Sequence, residues 1–342
     1  MKCVRIHEHG GVDKLQIEEI GKPSIGPSDV LVRVKATSIN HLDLWVRQGL
    51  PGVKFPLPMI PGVDAAGMVD VAGELVQHVK TGDRVVVAQG ISCGVCKHCL
   101  NGNDNLCKDY QLIGEHRDGA DAEFIAVPGR NVIKLPDAVS FESAAASALV
   151  FLTAWQMLVD KARVEPGDDV LIVGASSGVG TAGLQIAKML GGRVIATTSA
   201  DAKAEKLKNL GADDVINYRS RNVFDEVRKR TGKKGVEVVF DHVGAGLWEE
   251  NIKLLAKGGR LVTCGATSGF EAKTDLRYVF YKQLQILGST MGRKGDLVTI
   301  LKLIESGKLK PVIDQVMPLT EVREAHKRVE TGEHFGKIVL LP

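Results

Sequence analysis

Four of the six cysteines, Cys93, Cys96, Cys99 and Cys107, fall within fifteen positions in the run SCGVCKHCLNGNDNLC. Thiolates spaced C-x2-C-x2-C-x7-C can wrap one tetrahedral Zn²⁺. Protein then fills all four positions, so no site is left for water or substrate and the metal is structural. Gly94, Asn101 and Gly102 give the backbone freedom such a wrap requires. Two rivals stand beside zinc: an iron–sulfur cluster and four unligated thiols. The bacterial ferredoxin run has a three-residue last gap followed by Pro; here the gap is seven and Lys108 follows. His98 lies between two ligands and reads as solvent-facing. A tight cluster, with Cys3 and Cys264 isolated, reads as a metal site in a reducing compartment.

A second pattern suits a phosphate. Residues 170–180 read VLIVGASSGVG. A buried strand enters a turn of small residues, and an apolar-faced helix leaves it. The helix N-terminus offers unpaired N–H groups and a positive dipole end to a pyrophosphate. In the glycine-fingerprint register the three positions hold Ala175, Ser177 and Gly180, a departure from strict G-x-G-x-x-G. The bland alternative is a tight strand–helix turn without ligand. Cofactor choice is read about 20 residues later, where an acidic side chain would hold the ribose 2′-OH of NAD. Here the strand RVIATT is followed by Ser199, and the first carboxylate is Asp201. Lys203 lies just beyond, and Tyr218 follows the next strand. Hydroxyls and a cation without negative charge predict NADPH over NADH.

The elements that must position these groups change in texture along the chain. Up to about residue 150 the pattern is strands and turns: DVLVRVK at 29–35 alternates apolar and polar as a half-buried strand does, and 49–62 is dense in Gly and Pro. From about residue 166 short apolar runs (VLIV, VIA, VEVVF, LVTC, LQIL) alternate with helical patterns, which argues a parallel sheet covered on both faces. After 291 come helical patterns and a closing strand, GKIVLLP, expected to rejoin the first domain. The 342 residues carry 44% hydrophobic and 25% charged side chains and a net charge of +3. This is an ordinary globular composition. It excludes disorder and a nucleic-acid or membrane-surface specialist. No apolar run is expected to reach the roughly 20 residues of a membrane span, and MKCVRIHEHGG lacks a signal-peptide core. A cytoplasmic protein is expected.

With these pieces in place the chain resembles the medium-chain dehydrogenase/reductase superfamily over essentially its whole length. The segments GPSDVLVRVKATSINHLD, PMIPGVDAAGMV, TGDRV, GASSGVG, FDHVG, LAKGGRLVTCGATSG and GKIVLL carry the resemblance, and the cysteine spacing is that of the structural zinc lobe of zinc alcohol dehydrogenases. The resemblance implies an α/β fold. A GroES-like, mostly-β catalytic domain (1–150 and 291–342, zinc lobe 92–108) would accompany a doubly wound Rossmann domain (151–290). Where those dehydrogenases hold a second, catalytic zinc with Cys, His and Cys, this chain has Asn40, Val63 and Leu149. Val and Leu cannot ligate a metal, and a neutral amide is a poor zinc ligand. The hydroxyl of the family's proton relay is replaced by Leu42.

Asn40 in that place is similar to the quinone oxidoreductase and enoyl reductase branches, although those usually lack the zinc lobe. The resemblance implies an NADPH-dependent reductase of activated C=C bonds or quinones (quinones, enones, or 2-enoyl-CoA thioesters such as acryloyl- or crotonyl-CoA), with one structural Zn²⁺ and no catalytic zinc. Asn40 would donate an N–H to the developing enolate oxygen, and His41 or solvent would give the proton. Thr153 would contact the nicotinamide. Ser176, Ser177, Gly178 and Val179 would hold the pyrophosphate. Val243, Gly265, Ala266, Ser289 and Met291 would line the dinucleotide, and Lys337 would reach a phosphate. Trp45 and Arg47 would border the substrate mouth. The cleft is expected at the carboxyl ends of the sheet strands, between the domains. Partners are a small-molecule substrate and a second copy, as dimer or tetramer, with no nucleic acid or membrane. Two alternatives differ in class: an alcohol dehydrogenase with an atypical metal site, and an NADPH-binding protein with little turnover.

Overall fold

The computed structural model describes all 342 residues. They form two compact units, Met1–Leu149 with Arg293–Pro342, and Val150–Gly292.

The first unit is built on the long strand Asp29–Ser38. Its burial follows its alternation: Val32, Val34 and Ala36 are buried, while Arg33 and Lys35 between them are exposed. One edge pairs antiparallel with Ala66–Ala72. The other edge is shared. Asp29–Arg33 pairs with Phe124–Pro128, and Thr37 and Ser38 pair with Leu340 and Val339 of the last strand, Lys337–Leu341. The expected return of the chain end to the first unit is therefore a matter of register, and it sets Lys337 beside the residues that follow Ser38. The seven-stranded sheet continues through Ile313–Pro318 on one side and Arg84–Val87 and Val132–Lys134 on the other. Two apolar cores flank it, one around Val30, Val32, Val85 and Ile125, the other around Ile6, Leu44, Val322 and Ile338.

The second unit carries six parallel strands in the spatial order Asp214–Asn217, Arg193–Thr198, Asp169–Ile172, Val236–Asp241, Leu255–Thr263, Gln285–Gly288. Numbered along the chain this is 3-2-1-4-5-6, the doubly wound order whose switch point lies beside the first strand. The helix Gly178–Met189 follows that strand, within one residue of the 179–190 periodicity read from the sequence.

One expectation needs correction. Helix Phe141–Lys161 has 21 residues and is long and apolar enough to cross a membrane by length and composition. It reads as a core helix, since most of its apolar stretch is buried inside the protein. The run looks interrupted in sequence because Glu142, Ser143, Ser147, Thr153 and Gln156 break up its apolar residues.

Candidate active site

In the first unit a buried polar cluster forms where the strand Asp29–Ser38 hands over to the helix His41–Gln48. Asp43, in the first turn, accepts from the Asn40 backbone N–H at 2.7 Å, the reach-back half of a capping box. Asn40, 5% exposed, has its whole amide engaged. Its Nδ2 donates to Asp64 Oδ2 at 2.8 Å and to the Ser38 carbonyl at 3.2 Å. Its Oδ1 accepts from Lys337 Nζ. Lys337 Nζ also donates to the Ile39 carbonyl at 2.7 Å and to Asp64 Oδ2 at 3.3 Å. Asp64 takes two further donors, Ser38 Oγ at 2.7 Å and the Leu149 N–H at 2.9 Å. Ser38 Oγ also lies 3.1 Å from the Ala145 carbonyl. Ala145 and Leu149 are the i−4/i pair that a regular helix joins, so Ser38 and Asp64 enter that ladder from the side.

Three carboxylates, Asp43, Asp64 and Asp121, are fully buried here against one ammonium. Asp64 collects four donors, from Ser38, Asn40, Leu149 and Lys337. Burial, then the neighbouring Asp121, pushes Asp43 well above the usual carboxylate range. Burial lifts Asp121 to about 7, opposed by a hydrogen bond from Thr37 Oγ1 at 3.0 Å. Burial also pulls the Lys337 amine below its ordinary value, and Asp64 and Asp43 resist that fall.

In the second unit the turn after strand Asp169–Ile172 is shaped for close approach. Gly174 has φ +60°, and a Cβ there would lie 3.0 Å from the His242 ring. Ser177 caps the helix Gly178–Met189 by accepting from the Gly180 N–H at 3.0 Å, and its Oγ sits 3.2 Å from His242 Nε2. Burial pushes His242 below its ordinary value and keeps the ring neutral. Asp241 accepts from the N–H groups of Val243 (3.2 Å) and Gly244 and from Thr263 Oγ1 (3.0 Å), which fixes the next turn. Two buried hydroxyls, Thr153 Oγ1 and Ser289 Oγ, have no protein partner. Leaving such a group unpaired costs about 1–3 kcal/mol, so each hydroxyl is available to a polar ligand group. Gly292 would place a Cβ 2.7 Å from the Leu152 carbonyl, which sets the segment after Ser289 against the helix that carries Thr153.

The four clustered thiols converge: their Sγ atoms all lie within 4.8 Å of one another. Cys93–Cys99 and Cys96–Cys99 are 3.9 and 3.5 Å apart. Sulfurs about 2.3 Å from one tetrahedral metal are about 3.8 Å apart, so the donor set fits Zn²⁺. Backbone N–H groups of Val95 and Cys96 draw the Cys93 thiol down to about 6.

Residues 26–137 match the alcohol dehydrogenase GroES-like domain, and residues 178–306 match the zinc-binding dehydrogenase family. An alcohol dehydrogenase of Geobacillus stearothermophilus is 34% identical over 95% of this chain and 96% of its own. The chain belongs to the medium-chain dehydrogenase/reductase superfamily. A human quinone oxidoreductase of this superfamily is 30% identical over 100% of the chain and 98% of its own. A crystal structure described as an NAD-dependent alcohol dehydrogenase superposes with a TM-score of 0.96 at 48% identity, covering both chains completely. Family membership makes the protein an oxidoreductase.

Within that superfamily frame, the structure corrects three of the expected roles. Both N–H donors of Asn40 are taken by Asp64 and Ser38, which leaves none for an enolate oxygen. Lys337 has all three donors engaged and is 3% exposed, which leaves none for a phosphate. Arg47 is 1% exposed and tied to the Gly10 carbonyl, to Glu330 and to His326; it anchors the helix instead of lining a mouth. Trp45 is half-buried and His41 exposed, with their rings edge-on at 5.0 Å. Thr198 is buried at its strand tip, and its carbonyl accepts from the Tyr218 N–H at 3.0 Å. Ser199 and Lys203 are partly exposed just beyond it, and Tyr218 is 50% exposed. Ser176, Val179, Val243, Gly265 and Ala266 are all partly exposed at the carboxyl ends of the sheet strands, and Met291 is buried with φ +53°. Sequence reasoning missed Asp64 and Asp241. The signals were GVD in place of a metal-binding triplet, and the Asp before HVG.

Proposed function

We propose that this chain is an NADPH-dependent reductase that delivers hydride to a conjugated acceptor, a quinone, an enone or a 2-enoyl thioester, without a catalytic zinc. The observation that carries the reading is the donor chemistry at positions 40, 63 and 149. They hold a fully bonded amide, a buried Val and a Leu, and a lysine ammonium fills the polar centre among their neighbours. A zinc-free site cannot polarise an alcohol or a simple carbonyl as a Lewis acid does. A conjugated acceptor is already electrophilic at its β-carbon and accepts hydride unaided. The quinone oxidoreductase relative supports the same reading.

Bound NADPH would supply the hydride. Thr153 and Ser289 would give their unpaired hydroxyls to its amide-bearing ring. The N–H groups at the start of Gly178–Met189 would face its pyrophosphate. Ser199, Lys203 and Tyr218 would receive the 2′-phosphate, because the first carboxylate after the strand, Asp201, is held by Asn217 Nδ2 at 2.8 Å. His41, exposed at the first position of its helix, would pass a proton to the reduced acceptor. The structural Zn²⁺ would sit on Cys93, Cys96, Cys99 and Cys107.

A second reading, NAD-linked alcohol oxidation, draws on the 48% identical structure. One panel separates the two: NADPH and NADH oxidation with a quinone, an enone and an enoyl-CoA, beside alcohol oxidation, with and without chelator. The expected result is conjugated-acceptor reduction with NADPH, insensitive to chelator on the assay timescale, faster than alcohol oxidation by roughly a hundredfold, about 2.7 kcal/mol of barrier. Chelator-sensitive alcohol oxidation as the dominant activity overturns it.

The same unit presents an unpartnered apolar face. Leu276, Phe280 and Tyr281 on helix Leu276–Lys282 are 70–71% exposed, and Ile286 of the end strand Gln285–Gly288 is 40% exposed. An end strand next to an apolar face suits a twofold partner of the same sequence. Sedimentation velocity should show a dimer or larger, shifted toward monomer by Phe280→Asp; a monomeric native chain refutes the assignment.

A further inference from the structure

The buried lysine supports an inference about binding that does not depend on which substrate is reduced. Lys337 Nζ is ringed by three oxygens: the Ile39 carbonyl at 2.7 Å, Asn40 Oδ1, and Asp64 Oδ2 at 3.3 Å. None of the three has a proton to give. A carbonyl and a carboxylate only accept. The Asn40 amide is oriented with its oxygen toward the lysine, because its nitrogen must face two other acceptors, Ser38 O and Asp64 Oδ2. Three acceptors need three N–H donors, so the lysine is bound as an ammonium. The oxygens come from consecutive residues of one turn, Ile39 and Asn40, and from Asp64 just ahead of strand Ala66–Ala72. Ser38 Oγ and the Leu149 N–H hold Asp64 from behind. The wall of oxygens is thus built independently of the lysine. Its chemistry, a backbone carbonyl, an amide oxygen and a carboxylate, is that of a site for a hard cation.

We propose that Ile39, Asn40 and Asp64 form a cation socket, that Lys337 is its tethered occupant, and that the socket binds a free ammonium or potassium ion when the lysine is shortened. Lys337 is then a positioning residue. It acts through Asn40 and Asp64 by supplying the positive charge that lets a carboxylate and an oriented amide stay buried together.

Lys337→Ala tests this. Breaking a buried pair by removing one partner leaves an uncompensated charge, so the thermal midpoint should fall by roughly 10 °C. Ammonium or potassium chloride should restore most of the loss along a saturating curve. Tetramethylammonium chloride at equal ionic strength should not, since the ion is too large for the socket. The double variant Lys337→Met/Asp64→Asn removes both charges and should fold without any cation-specific response. NADPH affinity of Lys337→Ala, read by fluorescence titration in ammonium chloride, should match the native chain, whereas a lysine holding a phosphate would lose affinity that ammonium does not return. Equal action of all three salts overturns the proposal. So does an ammonium response in the double variant, or a double variant that folds while Lys337→Ala folds in no salt.

Discussion

Cys107→Ser is expected to release about one zinc per chain and to unfold the segment around residues 92–108, while the six-stranded sheet stays intact. The reason is that little else supports the lobe. Its regular structure is one four-residue helix, Lys97–Leu100, and one 3₁₀ turn, Asp104–Leu106. Its large apolar side chains face water: Val95 is 76%, Leu100 74% and Leu106 52% exposed. Tethers to the rest of the unit are few, among them Arg130 to the Ser92 carbonyl at 2.7 Å and the Lys294 N–H to Asp104 at 3.0 Å. A segment without a core depends on its metal. Structural zinc contributes apparent binding energies of about 10–16 kcal/mol in finger peptides, far above what two tethers supply. Metal analysis with hydrogen exchange localised to 92–108 checks the prediction. A zinc-free native chain with the same exchange protection and the same thermal midpoint refutes it. The acceptor panel on the same variant bears on mechanism as well: a structural metal predicts activity that falls with folding of the lobe, and no acceptor whose reduction depends specifically on zinc.

Local chemistry was legible in the sequence, and long-range pairing was not. The four thiols could be read because ligand spacing is a local property, and so could the alternation that buries Val32, Val34 and Ala36. The small-residue turn at 174–180 could be read because strand, turn and helix follow one another directly. The role of Asn40 could not. Its oxygen is taken by Lys337, nearly 300 residues later, and that contact follows from the pairing of Leu340 and Val339 with Thr37 and Ser38. A register shift of one residue would point Lys337 to the other face and leave the Asn40 oxygen free. Arg47 shows the same limit. On its helix it occupies a plausible mouth position, but Glu330 and His326 of the distant helix Val322–Glu330 capture it. The clue in sequence was the periodicity Val322, Ala325, His326, Val329, which places a histidine on a buried face; burial beside Arg47 then drives His326 down to about 3.

Gly180→Ala is expected to weaken dinucleotide binding by about a hundredfold, the larger of its two effects, and to cost about 1–3 kcal/mol of stability. An added Cβ would lie 2.5 Å from the Gly174 carbonyl oxygen and 2.7 Å from Ala175 Cα. Both are backbone atoms of the preceding turn, so no rotamer change relieves the clash. The helix must lift from the strand, and its first N–H groups move with it. The third glycine of the fingerprint serves this close helix–strand packing, and it is the one position the chain keeps. The tight turn that the first glycine normally provides is made one residue earlier, by Gly174 at φ +60°. That shift explains why alanine is tolerated at 175 and why the strict motif is absent. Gly295→Ala supplies the control. Gly295 lies in helix Lys294–Glu305, and a Cβ there meets nothing within 4 Å. That variant should bind cofactor normally and gain up to about 1 kcal/mol from helix propensity. Titration of NADPH fluorescence with thermal unfolding of both variants checks the pair. If Gly180→Ala binds as tightly as Gly295→Ala, the turn at 174–180 does not hold the dinucleotide, and the assignment of the pyrophosphate to this helix falls with it.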